Sequence, residues 1–384
     1  MVLEFENDKA IVAFTPEKEV KLTSYTIKVF AANKSDGGAK KHVYTSKVYP
    51  LNKTGENQWH IVIDYWFYNA VAKKLVDGAF NSLPNIIDFS FHILIGEEEH
   101  EVPEFYSVHF VRYIPKILNI LGWVNAEKAQ RIWFTNKSNT DKNKENPKID
   151  NFTWDWAVSE SSQIKTEYED FFKDTKSELN AFFDNNIKKS LRNEINKLIK
   201  EKKVFLPNAN TPKQNFGTFE KKIVDKKTKY GIEKMPEIEV SYFSSKSFAD
   251  FDIGQHYSND GMDDYIATIG TFVYHIAAKG ELIYDAGNFF VSPSTKIKVK
   301  QLAFYIKDRF DFENEPNENQ HLGYWKIIDK KTIQVDYIEL FDRNSYFHIT
   351  NETYNDYRKA HNKGYDFHAY SSLNIQDVDI ELTL

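Results

Sequence analysis

The N-terminal part of the chain alternates apolar and polar side chains. Residues 25–30 and 58–66 place an apolar side chain at every second position, and so do Phe89, Phe91, Ile93 and Ile95. Period two sends successive side chains to opposite faces, so each run has one buried and one wet face. Ser-Asp-Gly-Gly at 35–38 and Lys-Thr-Gly-Glu at 53–56 supply turn residues between such runs. Residues 1–112 are therefore expected to form an antiparallel β-sandwich. Residues 68–77 break the alternation and predict a helix inserted between strands.

Over residues 113–200 the period becomes helical. Pro115 suits the first turn of a helix that runs to Leu121, because its missing N–H has no partner to lose there, and Gly122 ends it. Asn125 is placed to cap a helix over 126–134. The Lys/Asn/Asp run over 135–147 has almost nothing to bury and reads as a mobile loop. Ile164, Tyr168, Phe171, Phe172, Leu179, Phe182, Phe183, Ile187, Leu191, Ile195 and Leu198 then recur mostly at three- and four-residue spacing. That pattern predicts one core-facing amphipathic helix or a pair of them. The densely charged opposite face argues against a membrane-inserting helix of a pore former.

Residues 200–235 are Lys-rich, contain Pro207, Pro212 and Gly217, and read as a linker. Its lysines suit a solvated surface better than a docking site for an acidic partner. Strand patterning returns over 236–384, with a helix expected around 263–271 and a short one around 352–361. The fold class is thus α+β: an N-terminal antiparallel sandwich, central helices, and a C-terminal, mostly antiparallel β region with short helices. The organisation expected is 1–112 as a possible adaptor and 113–384 as one larger domain. That domain comprises helices (113–200), the linker and the β-rich region.

Composition agrees with this picture. The 384 residues suit about two domains. Aromatic residues make up 15% of the chain, and they favour pleated sheet. The formal net charge of -6 gives no electrostatic footprint for nucleic acid. The absence of cysteine excludes disulfides, Cys-ligated zinc and a thiol nucleophile. The N-terminus lacks the basic start and apolar core of a secretory signal, and no stretch reaches the roughly 20 apolar residues of a membrane helix. Synthesis in the cytoplasm is expected, with any export following a signal-peptide-independent route.

Standard catalytic and nucleotide motifs are missing: no GxGxxG, Walker A, HExxH or GxSxG occurs, and the 11 histidines are scattered. No cofactor-binding residue is implied. Carboxylates gather in the C-terminal third: Asp260, Asp263 and Asp264, then Asp308, Asp311 and Glu313, followed by His321 and Tyr324. Asp308 and Asp311 lie three apart, so a regular strand points them to opposite faces, and a bulge or strand end is needed to converge them. Paired carboxylates beside a histidine suit Mg2+ binding or proton transfer. Aspartates also cap turns. Asp308, Asp311 and His321 are the catalytic candidates, with the metal unidentified and Mg2+ the cation such a set would take. A nuclease site of Asp264, Asp308, Asp311 and His321 is a third reading, which the acidic balance disfavours.

Three blocks carry a resemblance. The first is Ile114-Pro115, Leu121-Gly122-Trp123, Ile132-Trp133-Phe134 and Trp154-Asp155-Trp156-Ala157. The second is Asp263-Asp264, Ile269-Gly270, Phe272 and on to Gly280. The third is Tyr305-Ile306-Lys307-Asp308, Phe310-Asp311-Phe312, Gln320 and Leu322-Gly323-Tyr324-Trp325. Over residues 113–384 the chain resembles an uncharacterised domain family of Gram-negative bacteria that occurs near type VI secretion and polymorphic-toxin loci. It departs from that pattern by extra residues between Asn314 and Gln320 and by Phe310 in place of Tyr. Residues 1–112 carry no such likeness. The resemblance implies a secreted effector or cargo of a contractile injection system, a toxin, and, if an enzyme, a hydrolase of phosphodiesterase type. Its implied partners are a tube or spike component, or an immunity protein. The alternative is a non-enzymatic binding or structural adaptor of the same system. The Asp308-Arg309-Phe310-Asp311 run is also similar to the Asp-x-Tyr-Asp core of colicin M-like toxins, which cleave the lipid-linked peptidoglycan precursor. There His321 would stand for the family's histidine, but Leu322 replaces the arginine that follows it. Residues 305–325 are accordingly expected to be a folded hairpin first and a catalytic element second.

Overall fold

The computed structural model describes residues 2–6, 8–16, 20–35, 37–76, 78, 81–138, 147–173, 185–228, 231–248, 262–269, 272–289, 291–314, 319–336 and 343–384. The fold is mixed α+β with several antiparallel sheets. The chain divides into two compact units. One comprises residues 1–130 and 312–363, the other 131–311 and 364–384.

The first unit opens with β1 (Val2–Glu6), β2 (Lys9–Phe14), β3 (Ser24–Asn33), β4 (Lys41–Thr45), β5 (Tyr49–Pro50) and β6 (Asn57–Val62). Helix α1 (Tyr65–Leu75) follows, then β7 (Ile86–Ile95) and β8 (Glu98–His109). Strands β1-β2-β6 form one sheet and β4-β3-β7-β8 the other, with β5 added to β3. The alternation dictates the core: Tyr25, Ile27, Val29 and Ala31 are buried while their neighbours are not, and Ile27 and Val29 lie opposite Ile93 and Phe91. The helix begins where the side chain of Asp64 accepts the Phe67 N–H at 2.8 Å, as an N-cap should. Helix α2 (Ile114–Leu121) has Pro115 in its first turn and ends at Gly122 with φ 77°. Helix α3 (Val124–Thr135) follows, its last five residues belonging to the second unit.

The second unit continues with β9 (Lys148–Phe152), α4 (Trp154–Glu160), α5 (Ser162–Lys173) and α6 (Asn185–Lys200). Then come β10 (Lys213–Phe216), β11 (Ile223–Thr228), β12 (Gly231–Pro236) and a 3-10 turn over Glu237–Val240. Strand β13 (Tyr242–Phe248), helix α7 (Asp264–Thr268), β14 (Phe272–Asp285) and β15 (Ser294–Phe310) complete its main run. The chain returns to the first unit for β16 (His321–Ile327), β17 (Ile333–Asp336), β18 (Phe347–Thr350) and α8 (Asn351–His361). It closes in the second with β19 (Phe367–Ser371) and β20 (Asn374–Thr383). The large sheet of the second unit runs β10-β14-β15-β19-β9, with β13 also on β14 and β20 also on β15.

Several sequence expectations change. The described part of the apolar stripe over 164–198 falls in α5 and α6, in keeping with the expected pair of helices. Ile164, Leu191, Ile195 and Leu198 are buried. Leu179, Phe182 and Phe183, and the side chains of Phe171, Phe172 and Ile187, lie outside the described residues. So do residues 139–146 of the expected loop. Where a Lys-rich linker was expected, β10 pairs with β14 and β11 pairs with β12 as a hairpin. The reason is geometric: β14 is 14 residues long, β13 covers Phe272 to Ala277, and β10 takes the edge left at Gly280 to Ile283. The expected 305–325 hairpin does not form. Both edges of β15 are occupied, by β14 on one side and by β19 and β20 on the other, so β16 has no edge to join. It pairs with β17 and β18 in a separate three-stranded sheet instead.

Candidate functional site

The β14–β15 pair sorts the chemistry of the second unit onto two faces. His275 lies opposite Tyr305, Val273 opposite Lys307, and Lys307 opposite Tyr370 of β19. Directly opposite residues share a face, so His275, Tyr305, Lys307 and Tyr370 project together. Tyr274, Phe304, Ile306 and Asp308 project the other way. Trp154 of α4 and Tyr168 of α5 pack on this second face, with Trp154 5.8 Å from Tyr274 and Tyr168 5.2 Å from Phe304 between ring centroids.

The first face holds a buried carboxylate. The 3-10 turn delivers Glu239, which is 4% exposed. The Tyr305 hydroxyl donates to its Oε1 at 2.7 Å and the Lys307 ammonium to its Oε2 at 3.0 Å. His275 stacks on Tyr305 with ring centroids 5.0 Å apart, and its Nδ1 lies 3.9 Å from Glu239 Oε1. Tyr242 meets His275 edge-on, and Lys307 sits over the Tyr370 ring at 5.6 Å. Ile238, Ala277 and Ala303 seal the cluster with apolar surface.

Electrostatics follow from this packing. Burial pushes the Glu239 carboxyl up, but the charge of Lys307, then that of His275, and the Tyr305 and Lys307 hydrogen bonds outweigh it and hold it below its ordinary value. Burial drives His275 down to about 4 despite the attraction of Glu239. His275 is therefore neutral near pH 7, and at that pH Lys307 and Tyr305 carry the depression. Burial, then Glu239, keeps the Tyr305 phenol well above its usual range. His368, opposite Arg309, is pushed down to about 3 by burial and then by Lys307 and Arg309. At neutral pH the cluster is one ion pair, Glu239 with Lys307, held among neutral rings. Its carboxylate is already engaged by two donors, which suits positioning better than proton abstraction.

The same 3-10 turn walls a cleft of ≈ 890 Å³. Leu198, Val204, Phe216 and Val240 supply its apolar surface, and Lys203, Asp225, Lys226 and Glu237 supply charge. Lys226 joins cleft and cluster: its ammonium reaches the Glu239 backbone carbonyl at 3.5 Å and lies 6.0 Å from the Tyr242 ring. Burial, then Lys197, lowers its pKa.

The residues singled out in the sequence are divided between the two units. Asp308 is 6% exposed on the helix-covered face. It faces Tyr265 of α7, whose phenol is pushed up to about 12 by burial first and by Asp263 and Asp308 as well. Asp311 follows the end of β15 and its Oδ2 pairs with Arg309 Nε at 3.0 Å. Alternation puts Arg309 on the face opposite Asp308, so no bulge brings the two carboxylates together. His321 belongs to the other unit, at the start of β16. Its Nδ1 lies 2.9 Å from His348 Nε2 on β18, and Tyr324 stacks on His348 at 4.7 Å between centroids. Asp263 caps α7 by accepting the Ile266 N–H at 2.9 Å, and Asp264 starts that helix. Asp260 lies outside the described residues. Among the described residues no three His, Asp or Glu side chains form a group able to hold a metal ion.

Glu239 and His275 escape a motif search because Glu239 sits in an ordinary Glu-Ile-Glu stretch and His275 is a single polar residue in an apolar strand. The available signal was Tyr305 and Lys307, whose period-two spacing beside Asp308 marks the opposite face of the same strand.

The chain belongs to a family of unknown function, DUF6402, whose model matches residues 110–384. No curated protein and no solved structure matches the chain. Among the described residues no helix is long and apolar enough to cross a membrane.

Proposed function

We propose that this family member is a non-enzymatic binding protein that travels as cargo of a bacterial contractile injection system. The cleft beside Glu239 carries the binding part. Its ≈ 890 Å³ falls within the range of ligand pockets, and it combines an apolar wall with a few charged side chains. Delivery rests on the resemblance of the three sequence blocks. In this reading the chain is made in the cytoplasm and is recognised by a tube or spike component, or by an immunity protein. Hydrolysis by Asp308, Asp311 and His321 is the other reading of the same resemblance, and the Asp308–Asp311 run favours it. The burial of Asp308 and the ion pair of Asp311 weigh against it.

Delivery is tested with a tagged chain in producer cells with and without the contractile sheath. The account expects the chain in the medium only when the sheath is present. Equal release from both strains, or retention in both, overturns delivery. Binding is tested by native mass spectrometry of protein purified from those cells. Wild type should carry a non-covalent adduct that Val240→Trp, which sets a bulky ring into the cleft wall, does not. The same adduct on both proteins, or none on wild type, would refute a ligand in the cleft.

A further inference from the structure

The His321–His348 pair has a geometry that neither the family nor the proposed binding role explains. The two strands that carry it are adjacent in one sheet. His321 lies opposite Thr350, and after a register shift Tyr324 lies opposite His348. Thr350 and His348 are two apart on β18, so both imidazoles lie on one face, where His321 Nδ1 and His348 Nε2 converge to 2.9 Å, and the shift adds Tyr324 to that face. Tyr324 holds the arrangement from beneath: its ring centroid is 4.8 Å from His321 and 4.7 Å from His348. The rings are inclined at 48° with centroids 4.9 Å apart.

We propose that His321 and His348 form a two-histidine site for a divalent transition-metal ion of the Zn2+, Ni2+ or Cu2+ class. Two imidazole nitrogens bound to one tetrahedral ion, each at about 2.0–2.1 Å, are about 3.3 Å apart. The pair therefore needs to open by about 0.4 Å from its hydrogen-bonded separation, and each ring to turn so that its lone pair leaves the N···N line and points to the ion. In the metal-free pair one ring donates its N–H to the other. Binding requires that ring to carry its proton on its other nitrogen, so that two lone pairs face the ion and no proton is lost overall. Imidazole donors select these ions over Mg2+, which prefers oxygen. The two rings fill two coordination positions and leave the others to water or to a donor from a bound partner.

The test is isothermal titration of the full chain with ZnCl2. One equivalent should bind, and His321→Ala and His348→Ala should each weaken binding at least tenfold. Far-UV circular dichroism checks that the variants are folded. A second measurement needs no variant. In wild-type protein with labelled histidine rings, zinc should shift the resonances of two of the 11 imidazoles and leave the rest in place. No stoichiometric binding by wild type, undiminished binding by the His321→Ala/His348→Ala double variant, or ring shifts spread over other histidines would each overturn the site.

Discussion

Replacing Lys307 by Met removes the cation that holds the buried Glu239 carboxylate while keeping most of the side chain's volume. Glu239 is 4% exposed and the Lys307 side chain 21%, so water cannot substitute for the lost ammonium. Stripping one partner from a buried pair costs about 3–5 kcal/mol. Tyr305 still donates to Glu239 at 2.7 Å in the variant. The loss should thus fall at the lower end, about 3 kcal/mol near neutral pH. The second unit contains about 200 residues (181 in 131–311 plus 21 in 364–384), so its melting temperature should drop by about 6–12 °C. The pH dependence carries the mechanism. In wild type the folded Glu239 pKa lies below the unfolded value, so its contribution is full above the unfolded carboxylate range and fades as pH falls through the folded value. Without Lys307, burial dominates and raises the folded pKa above the unfolded one. The variant then gains stability on acidification while wild type does not. Urea unfolding at neutral pH and at about pH 5 should show the gap narrowing at the lower pH. A loss below about 1 kcal/mol, or a gap independent of pH, would refute the assignment of Glu239 as an ionised partner of Lys307.

Three further outcomes follow from particular contacts. Gly217 has φ +77°, and a Cβ there would lie 2.0 Å from the Ala278 carbonyl oxygen, so Gly217→Ala should cost at least about 2 kcal/mol and speed amide exchange of β10. Unchanged exchange over 213–216 would show that β10 is not held by this close approach. Asp263→Ala should cost about 0.5–2 kcal/mol through loss of the α7 cap, and Asp263→Asn, which still accepts the Ile266 N–H, should restore most of it in a thermal melt. In the first unit Phe312, 6% exposed, stacks on Tyr354 with centroids 3.6 Å apart, so Phe312→Ala should cost about 3–5 kcal/mol. A loss below about 1 kcal/mol by urea unfolding would mean the stack is not part of the packed core.

Much of the fold was legible because local physics decides it. Alternation along β3 and β7, Pro115 and Gly122 bracketing α2, and the stripe ending at Leu198 each translate directly into an element. Strand partnership was not legible. The Lys-rich segment looked like a linker because lysines tolerate a solvated strand as well as a loop, and only the free length of β14 draws β10 into the sheet. The 305–325 run looked like a hairpin because two apolar strands flank a polar loop, and occupancy of both β15 edges is invisible in one dimension. The carboxylates misled for a related reason. Asp308 and Asp311 are near in sequence, but the pleat sends Asp308 towards Tyr265 while Asp311 pairs with Arg309. Glu239 lies 68 residues from Lys307, so their meeting depends on tertiary packing and leaves no motif.

The account's central claim is that the family region binds rather than hydrolyses, and growth of a bacterial host tests it most directly. The chain is made in the cytosol or directed to the periplasm, beside an Asp308→Ala/Asp311→Ala variant whose folding is checked by thermal melt. The account predicts that neither protein slows growth in either compartment. Killing by the wild-type chain that the folded double variant no longer produces would contradict it and restore Asp308 and Asp311 as catalytic residues.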